Sequence, residues 1–319
     1  DGKILSRDAA IEEIKPGEEL VFPLSQHIGA PAVPIVEIGE RVLAGQKIAA
    51  KSGFISANIH SSVSGTVIKI EPRTIATGGK VNSIVIRNDN LYEQAPPIND
   101  KNPDDMTDDE IRTVIEEAGI VGMGGAGFPT NVKLTPKNPE AIDTIIVNGA
   151  ECEPYLTSDY RRMLEYTDEL VKGLKIVLRL FPGARGVFGV EDNKPEAIKA
   201  LKKATSGENN IEVAVLKTKY PQGGERCMIK AVTGREINSK MLPADAGCIV
   251  HNIDTIASIY QAVYEGRPLT RRIVTVTGDA VNSTHNYYVY LGTNMRVLID
   301  AAGGFKAEPA KVISGGPMM

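Results

Sequence analysis

The chain has 319 residues, 42% hydrophobic and 24% charged, with 36 basic residues against 40 acidic for a net charge of −4. That length holds two or three domains, and the lack of a basic balance excludes nucleic acid as an expected partner, because phosphate binding wants a basic face. No apolar run reaches the roughly 18 residues of a bilayer-crossing helix, and with no Trp and 5% aromatics there are few platforms for stacking bases.

Nothing at the start reads as a signal peptide, and a chain opening on Asp1 rather than Met reads as trimmed. The three cysteines, Cys152, Cys227 and Cys248, lie far apart with no Cys-x-x-Cys pair, so no metal or iron–sulfur ligation is expected within the chain. An odd count without a disulfide pattern fits a reducing, cytosolic compartment.

Residues 18–88 read as β structure, in short runs punctuated by Gly and Pro. "VEIGERVLAGQKIA" and "HSSVSGTVIKIE" look like the two halves of a lipoyl/biotinyl-type barrel-sandwich. The lysine that such carriers hold at the central turn has no counterpart in "NIHSSVSG", so the module reads as structural. A Pro-rich linker, "LYEQAPPINDKNPDD", closes this first domain at about residue 95.

A helix follows in "MTDDEIRTVIEEAGIVG". Thr107 and Glu110 form a capping box, and Ile111, Val114, Ile115 and Ala118 form one apolar stripe. Directly after it stands "VGMGGAGFPTNVKL", with Gly122, Gly124, Gly125 and Gly127 inside six positions. Taken literally, Gly122-x-Gly124-x-x-Gly127 matches the dinucleotide fingerprint. That turn needs a strand before it and a helix directly after, whereas here a helix precedes and Phe128-Pro129 follows. A Walker loop fails as well, since no Gly-Lys-Ser/Thr is present there. A flexible connector and a bare-backbone binding surface both remain open for this stretch.

From 142 to 265 strand-like and helix-like runs alternate. "DTIIVNGAE", "RGVFGVED", "NIEVAVLK" and "GCIVHN" read as strands. "TSDYRRMLEYTDELVKGLKIVLRLF" reads as one long helix, followed by "KPEAIKALKKAT", "GERCMIKAVTG" and "DTIASIYQAVYEG". Such alternation predicts a mostly parallel sheet covered by helices, with ligands at the carboxyl ends of its strands. Three strand ends carry polar signals. Asn148, Glu151 and Glu153 follow the first strand, where carboxylates suit either a solvated surface or the hydroxyls of a ligand. Gly223 and Gly224 precede a helix, either as a plain turn or with N–H groups free for a phosphate. His251 and Asn252 end the fourth strand, and a lone histidine there reads first as a hydrogen-bonded loop residue. After Arg267-Pro268, two strand-like runs and a short helix look like a β-grasp unit, and the chain stops at "GGPMM" without a terminal helix or polar tail, as a longer protein cut short would.

"GMGGAGFPTNVKL", "VNGAECEPYLTSDYRRMLE" and "YPQGGERCMIKAVTGRE" together resemble the C component of the Rnf electron-transport complexes. "FPLSQHIGAPAVPIVEIGERVLAGQKIA" and "VISGGPMM" extend the likeness to both ends. The central part is more distantly similar to the flavin-binding subunit of respiratory complex I. The resemblance implies an α/β protein of three domains: a barrel-sandwich over 1–95, an FMN/NADH-binding α/β domain over 96–266, and a β-grasp domain over 267–319. It implies a flavoprotein that exchanges hydride between NAD(H) and non-covalent FMN, and passes electrons to [4Fe–4S] clusters carried by a segment this chain lacks. Its partners would be the other proteins of the complex and, indirectly, ferredoxin, at the cytoplasmic side of a membrane and peripheral to it.

By the same resemblance, Gly122, Gly124, Gly125 and Gly127 would let flavin and nicotinamide stack on bare backbone. Lys133 would approach the flavin and stabilise its reduced, anionic form. Asn148 and Glu151 would face its ring and ribityl chain, with Lys133 and Glu151 taken as catalytic. Gly223, Gly224 and Asn252 would lie near the FMN phosphate, and Phe128, Glu153 and Glu225 would hold the nucleotide's adenine and ribose. The chain departs from the complex I pattern at Ala150, where that has Asp, at Gly224, where it has Glu, and around Pro136, where it has an aromatic. A cobalamin reductase with the same core and a docking scaffold with a vestigial flavin site are the competing readings.

Overall fold

The structure is a computed structural model that describes residues 1–76 and 78–318. Its centre is a four-stranded parallel sheet in the order Ile211–Leu216, Arg185–Glu191, Thr144–Gly149, Cys248–Asn252. Strands covered on both faces read as unbroken apolar runs, and Arg185–Glu191 is buried at every position after the first. One face packs on the helices Asp108–Glu117, Ser158–Glu165, Thr167–Arg179, Pro195–Ala204 and Ile253–Glu265, and the other on Glu225–Thr233.

Most of the expected elements stand where periodicity puts them. The capping box closes as expected: the Thr107 hydroxyl accepts the Glu110 N–H at 3.2 Å, and the Glu110 carboxylate accepts the Thr107 N–H at 2.8 Å. The long helix expected over 157–181 is instead two, broken at Tyr166, which lies outside helical geometry at φ −129° and ψ 34°. The break falls where Arg162, 2% exposed, is drawn into an ion pair with Asp254 at 2.8 Å and lies over the Tyr166 ring.

The barrel-sandwich pairs the sheet Glu19–Pro23, Lys80–Asn88, Gly65–Thr74, Arg41–Val42 with the sheet Val33–Pro34, Lys47–Ala50, Ile59–His60. Leu20, Phe22, Ile48, Ile84 and Ile86 fill its core. Its central turn is not a free tip: Ser61, Ser62 and Ser64 are buried, and the Ser62 hydroxyl donates to the Leu291 carbonyl at 2.6 Å.

Near the carboxyl end, Arg271–Val276 and His285–Tyr290 pair antiparallel beside the helix Met295–Ala301. The third strand of this sheet comes from the opposite end of the chain: Ile11–Glu13 pairs in parallel with His285–Tyr290. No helix among the described residues is long and apolar enough to cross a membrane.

Candidate functional site

The carboxyl ends of the parallel strands form one rim. Asn148 and Asn252 are register partners on neighbouring strands, and Gly149 lies opposite Val190 on the second, Arg185–Glu191. Each strand end is turned by its own polar residue. The Asn148 carbonyl oxygen accepts the Ala150 N–H at 3.2 Å, and its amide donates to the Gly223 carbonyl at 2.7 Å, joining the first and third strand ends. Asn252 starts the helix Ile253–Glu265 by accepting the Asp254 N–H at 2.8 Å, and its amide donates to the Asp159 carboxyl at 2.7 Å.

The glycine loop reaches the same rim. It is closed at its base by the Gly122 N–H donating to the Phe128 carbonyl at 2.9 Å and by a bridge between Val121 and Pro129. It is tethered to the fourth strand's helix by the Met123 N–H, which donates to the Thr255 hydroxyl at 3.0 Å. A Cβ on Gly124 would stand 3.0 Å from the Asn252 Cβ, so this glycine permits a close approach of loop to strand end. Gly127, with φ 67°, packs against the backbone of Gln26 and His27 in the barrel-sandwich. Gly125 is exposed and has nothing within 4 Å of where its Cβ would be. It presents unclothed backbone to open space.

The loop leads into a single helical turn, Thr130–Lys133, from which the Lys133 ammonium donates to the Glu225 carboxylate at 2.9 Å and the Val250 carbonyl at 3.0 Å. Beneath it, burial and the Lys133 charge hold the His251 imidazole neutral, with its pKa lowered to about 3. At the third strand end, Gly223 lies against Cys152, whose sulfur accepts the Gly223 N–H at 3.1 Å. Gly224 caps the helix Glu225–Thr233 without any side-chain hydrogen bond, leaving the first amides of that helix for a ligand.

The structure thus brings Gly124, Lys133, Asn148, Gly223, Gly224, Glu225 and Asn252 to one rim. Glu151 stands differently from the expectation that its side chain faces a flavin. Its carboxylate is 3% exposed, and Oε1 accepts the N–H groups of Asp159 and Tyr160 at the start of the helix Ser158–Glu165. Glu153 is engaged by the end of the chain: its Oε1 accepts the Met318 N–H at 2.7 Å, and Gly316 lies flush on the side chain. Phe128 contributes its carbonyl to the base of the loop.

Sequence reasoning passed over three residues. Asp159 bonds Asn252 and carries a carboxyl raised to about 7, first by burial and then by the charges of Glu151 and Asp254. Lys3 and Lys194 are buried against loop 150–156. A buried lysine has no signature in local sequence, because its burial is set by chain that is distant from it.

The rim suits a flat ligand bearing a phosphate. Besides the bare backbone at Gly125, two buried polar atoms of residues at the strand ends lack a hydrogen-bond partner: Gln222 Oε1, beside Gly223, and His251 Nε2, beside Asn252. Such atoms are uncommon in a finished core and are expected where a ligand completes the bonding.

Comparison with known proteins agrees with this architecture. Residues 115–261 match the Nuo51 FMN-binding domain, residues 1–91 the RnfC barrel sandwich hybrid domain, and residues 273–319 the SLBB domain. The chain is 46% identical over 306 residues to the C component of the Na(+)-translocating ferredoxin:NAD(+) oxidoreductase complex of Acetobacterium woodii, covering 96% of this chain and 69% of that protein. It is 47% identical over 309 residues to the C component of the proton-translocating ferredoxin:NAD(+) oxidoreductase complex of Clostridium ljungdahlii, covering 96% and 67% respectively. With the C component of the ion-translocating oxidoreductase complex of Pseudomonas aeruginosa it is 41% identical over 315 residues, which span 40% of that longer chain. Among solved structures, an air-oxidized NAD+-reducing [NiFe]-hydrogenase shares the fold at a TM-score of 0.54 and 23% identity, over 61% of this chain and 39% of that one.

Proposed function

The chain belongs to the RnfC family, the C components of the ion-translocating ferredoxin:NAD(+) oxidoreductase (Rnf) complexes, and from that premise we propose that its rim holds FMN and receives NAD(H) against it. The observation that carries this reading is convergence. Gly124 packs on Asn252, Asn148 bonds Gly223, and Lys133 bonds Glu225, so the glycine loop and three strand ends enclose one place. When bound, FMN would supply the ring able to exchange a hydride and single electrons.

The chain's own residues bind, orient and balance charge. Gly125 leaves room for a ring system, and the amides after Gly224 meet the phosphate. The Lys133 ammonium supplies positive charge where a reduced ring would gather negative charge, while Glu225 keeps that ammonium in place at 2.9 Å. Glu225 would accept a hydroxyl of the nucleotide, and so would Glu153, whose Oε1 the Met318 N–H otherwise occupies, orienting the nicotinamide toward the flavin. Electrons would pass between that ring and [4Fe–4S] clusters and, through the other proteins of the complex, ferredoxin, with the chain peripheral to the membrane on its cytoplasmic side.

The test is a titration of the purified protein with FMN under anaerobic conditions, followed by NADH. Quenched flavin fluorescence and bleaching of the flavin absorbance are expected. Free, unquenched FMN would favour a scaffold and end this proposal. The double variant Glu153→Ala, Glu225→Ala should weaken NADH at least about tenfold while leaving FMN within about twofold, since each lost charge-assisted bond is worth about 1.5–3 kcal/mol. Loss of FMN instead would reassign these carboxylates.

A further inference from the structure

Loop 150–156 carries both Glu151 and Glu153 and is held in an unusual way. Its backbone turns twice through the left-handed region, at Glu151 with φ 45° and at Tyr155 with φ 70°, a strained conformation for residues bearing a Cβ. Only Ala150 of this loop belongs to a hydrophobic cluster, so apolar packing does not account for its shape. The carbonyls of Ala150, Glu153 and Leu156 are instead met by ammonium groups from distant parts of the chain. Lys194, which caps the helix Pro195–Ala204, donates to Ala150 at 2.6 Å. Lys3, on the amino-terminal arm, donates to Glu153 at 2.9 Å and Leu156 at 2.6 Å.

Both lysines are buried, 8% exposed at Lys3 and 2% at Lys194, and a buried ammonium persists only where partners offset its lost hydration. Lys194 has Glu191 Oε2 at 3.6 Å, yet burial still pushes its pKa below the ordinary lysine value. Lys3 has Glu151 Oε2 at 3.8 Å, the oxygen that makes no hydrogen bond. The two lysines form a cationic floor under the loop. The same loop is tied to the neighbouring strand ends where Asn148 bonds Gly223 and Gly223 bonds Cys152.

We propose that Lys3 and Lys194 are positioning residues of the flavin site, clamping the inward carbonyls of loop 150–156 so that Asn148, Glu151 and Glu153 keep the arrangement that cofactor and nucleotide require. This rests on the flavin reading above. The arm that carries Lys3 thereby becomes part of the site, although it lies more than a hundred residues away in sequence.

The test uses Lys3→Met and Lys194→Met, which keep side-chain length and remove the donors, with Lys3→Arg as the conservative rescue. FMN affinity is read by fluorescence quenching, KM for NADH by flavin bleaching, and loop mobility by amide hydrogen exchange over 151–157. Lys3→Met is expected to exchange faster over 151–157 and to weaken FMN or raise KM about tenfold, the loss expected for one charge-assisted hydrogen bond. Lys3→Arg should recover most of that loss, because a guanidinium can serve both carbonyls, whereas general destabilisation would not be rescued. Affinity and KM within twofold of wild type in both Met variants would overturn the proposal. If Lys194→Met does not fold, Lys3→Met decides, since its arm lies outside the sheet core. If the unaltered protein binds no FMN, the flavin reading has failed, and exchange over 151–157 still judges the clamp: faster in Lys3→Met supports it, unchanged overturns it.

Discussion

Asp159 is one of the rim's titrating groups. Its carboxyl is raised from 3.8 to about 7, by burial first and by the charges of Glu151 and Asp254 after it, against a hydrogen bond from Asn252 that favours ionisation. The folded value exceeds the unfolded one, so the unfolded chain gives up this proton at lower pH than the folded chain does. The group therefore contributes stability that is present below the unfolded pKa and is lost as pH rises from about 4 to about 7. Asp159→Asn keeps an acceptor for the Asn252 amide and removes the titration. The variant should melt higher than wild type at about pH 8, with the advantage shrinking at about pH 5; parallel melting profiles would refute this. Asn252 was legible as a strand-end residue, whereas nothing in the sequence singled out Asp159. What distinguishes it is the company of Glu151 in the preceding loop and of Asn252 and Asp254, which lie together more than ninety positions further along the chain.

Helices show the same division more sharply. The start of Asp108–Glu117 could be read to the residue, since a capping box uses only contacts three positions apart. The break at Tyr166 could not, because the apolar spacing runs on through it and the buried Arg162–Asp254 pair, 92 positions apart, has no local trace. Helix Thr167–Arg179 also lies unusually close to Ile253–Glu265. A Cβ on Gly173 would stand 2.4 Å from the Ile256 carbonyl oxygen. Gly173→Val should therefore push the pair apart and cost about 1–3 kcal/mol in denaturant unfolding. Since Asn252 begins the second of these helices, FMN affinity should fall with it. An unchanged midpoint would show that the helices can part without strain.

The amino-terminal arm, the α/β domain and the carboxyl-terminal sheet are joined by a buried polar network around Asn286, which is 0% exposed. Its amide donates to the carbonyls of Ser6 at 3.0 Å and Ala9 at 3.2 Å, and its carbonyl oxygen accepts the hydroxyls of Thr157 at 3.1 Å and Thr275 at 2.8 Å. The amino-terminal arm, the start of the helix Ser158–Glu165 and the carboxyl-terminal sheet therefore share one side chain. Asn286→Leu removes all four bonds and leaves the Ala9 carbonyl without a partner, at about 1–3 kcal/mol for a buried group left unsatisfied, while Ser6, Thr157 and Thr275 keep one bond each. Calorimetry should then show the single transition splitting, with limited proteolysis releasing the carboxyl-terminal unit first; one unsplit transition at the original temperature would count against the coupling.

Read from the sequence, the order of barrel-sandwich, parallel α/β sheet and β-grasp unit was already plain. Periodicity, caps and turn residues are local, and the glycine, Asn-Gly-Ala-Glu and Gly-Gly-Glu motifs carry their chemistry within a few positions. Folding in three dimensions settled the rest: that Ile11–Glu13 completes a sheet begun at Arg271, that Glu151 turns beneath a helix, and that Lys3 reaches loop 150–156. Those outcomes depend on contacts between residues far apart in the chain, where burial and charge pairing outweigh any preference a short stretch can express.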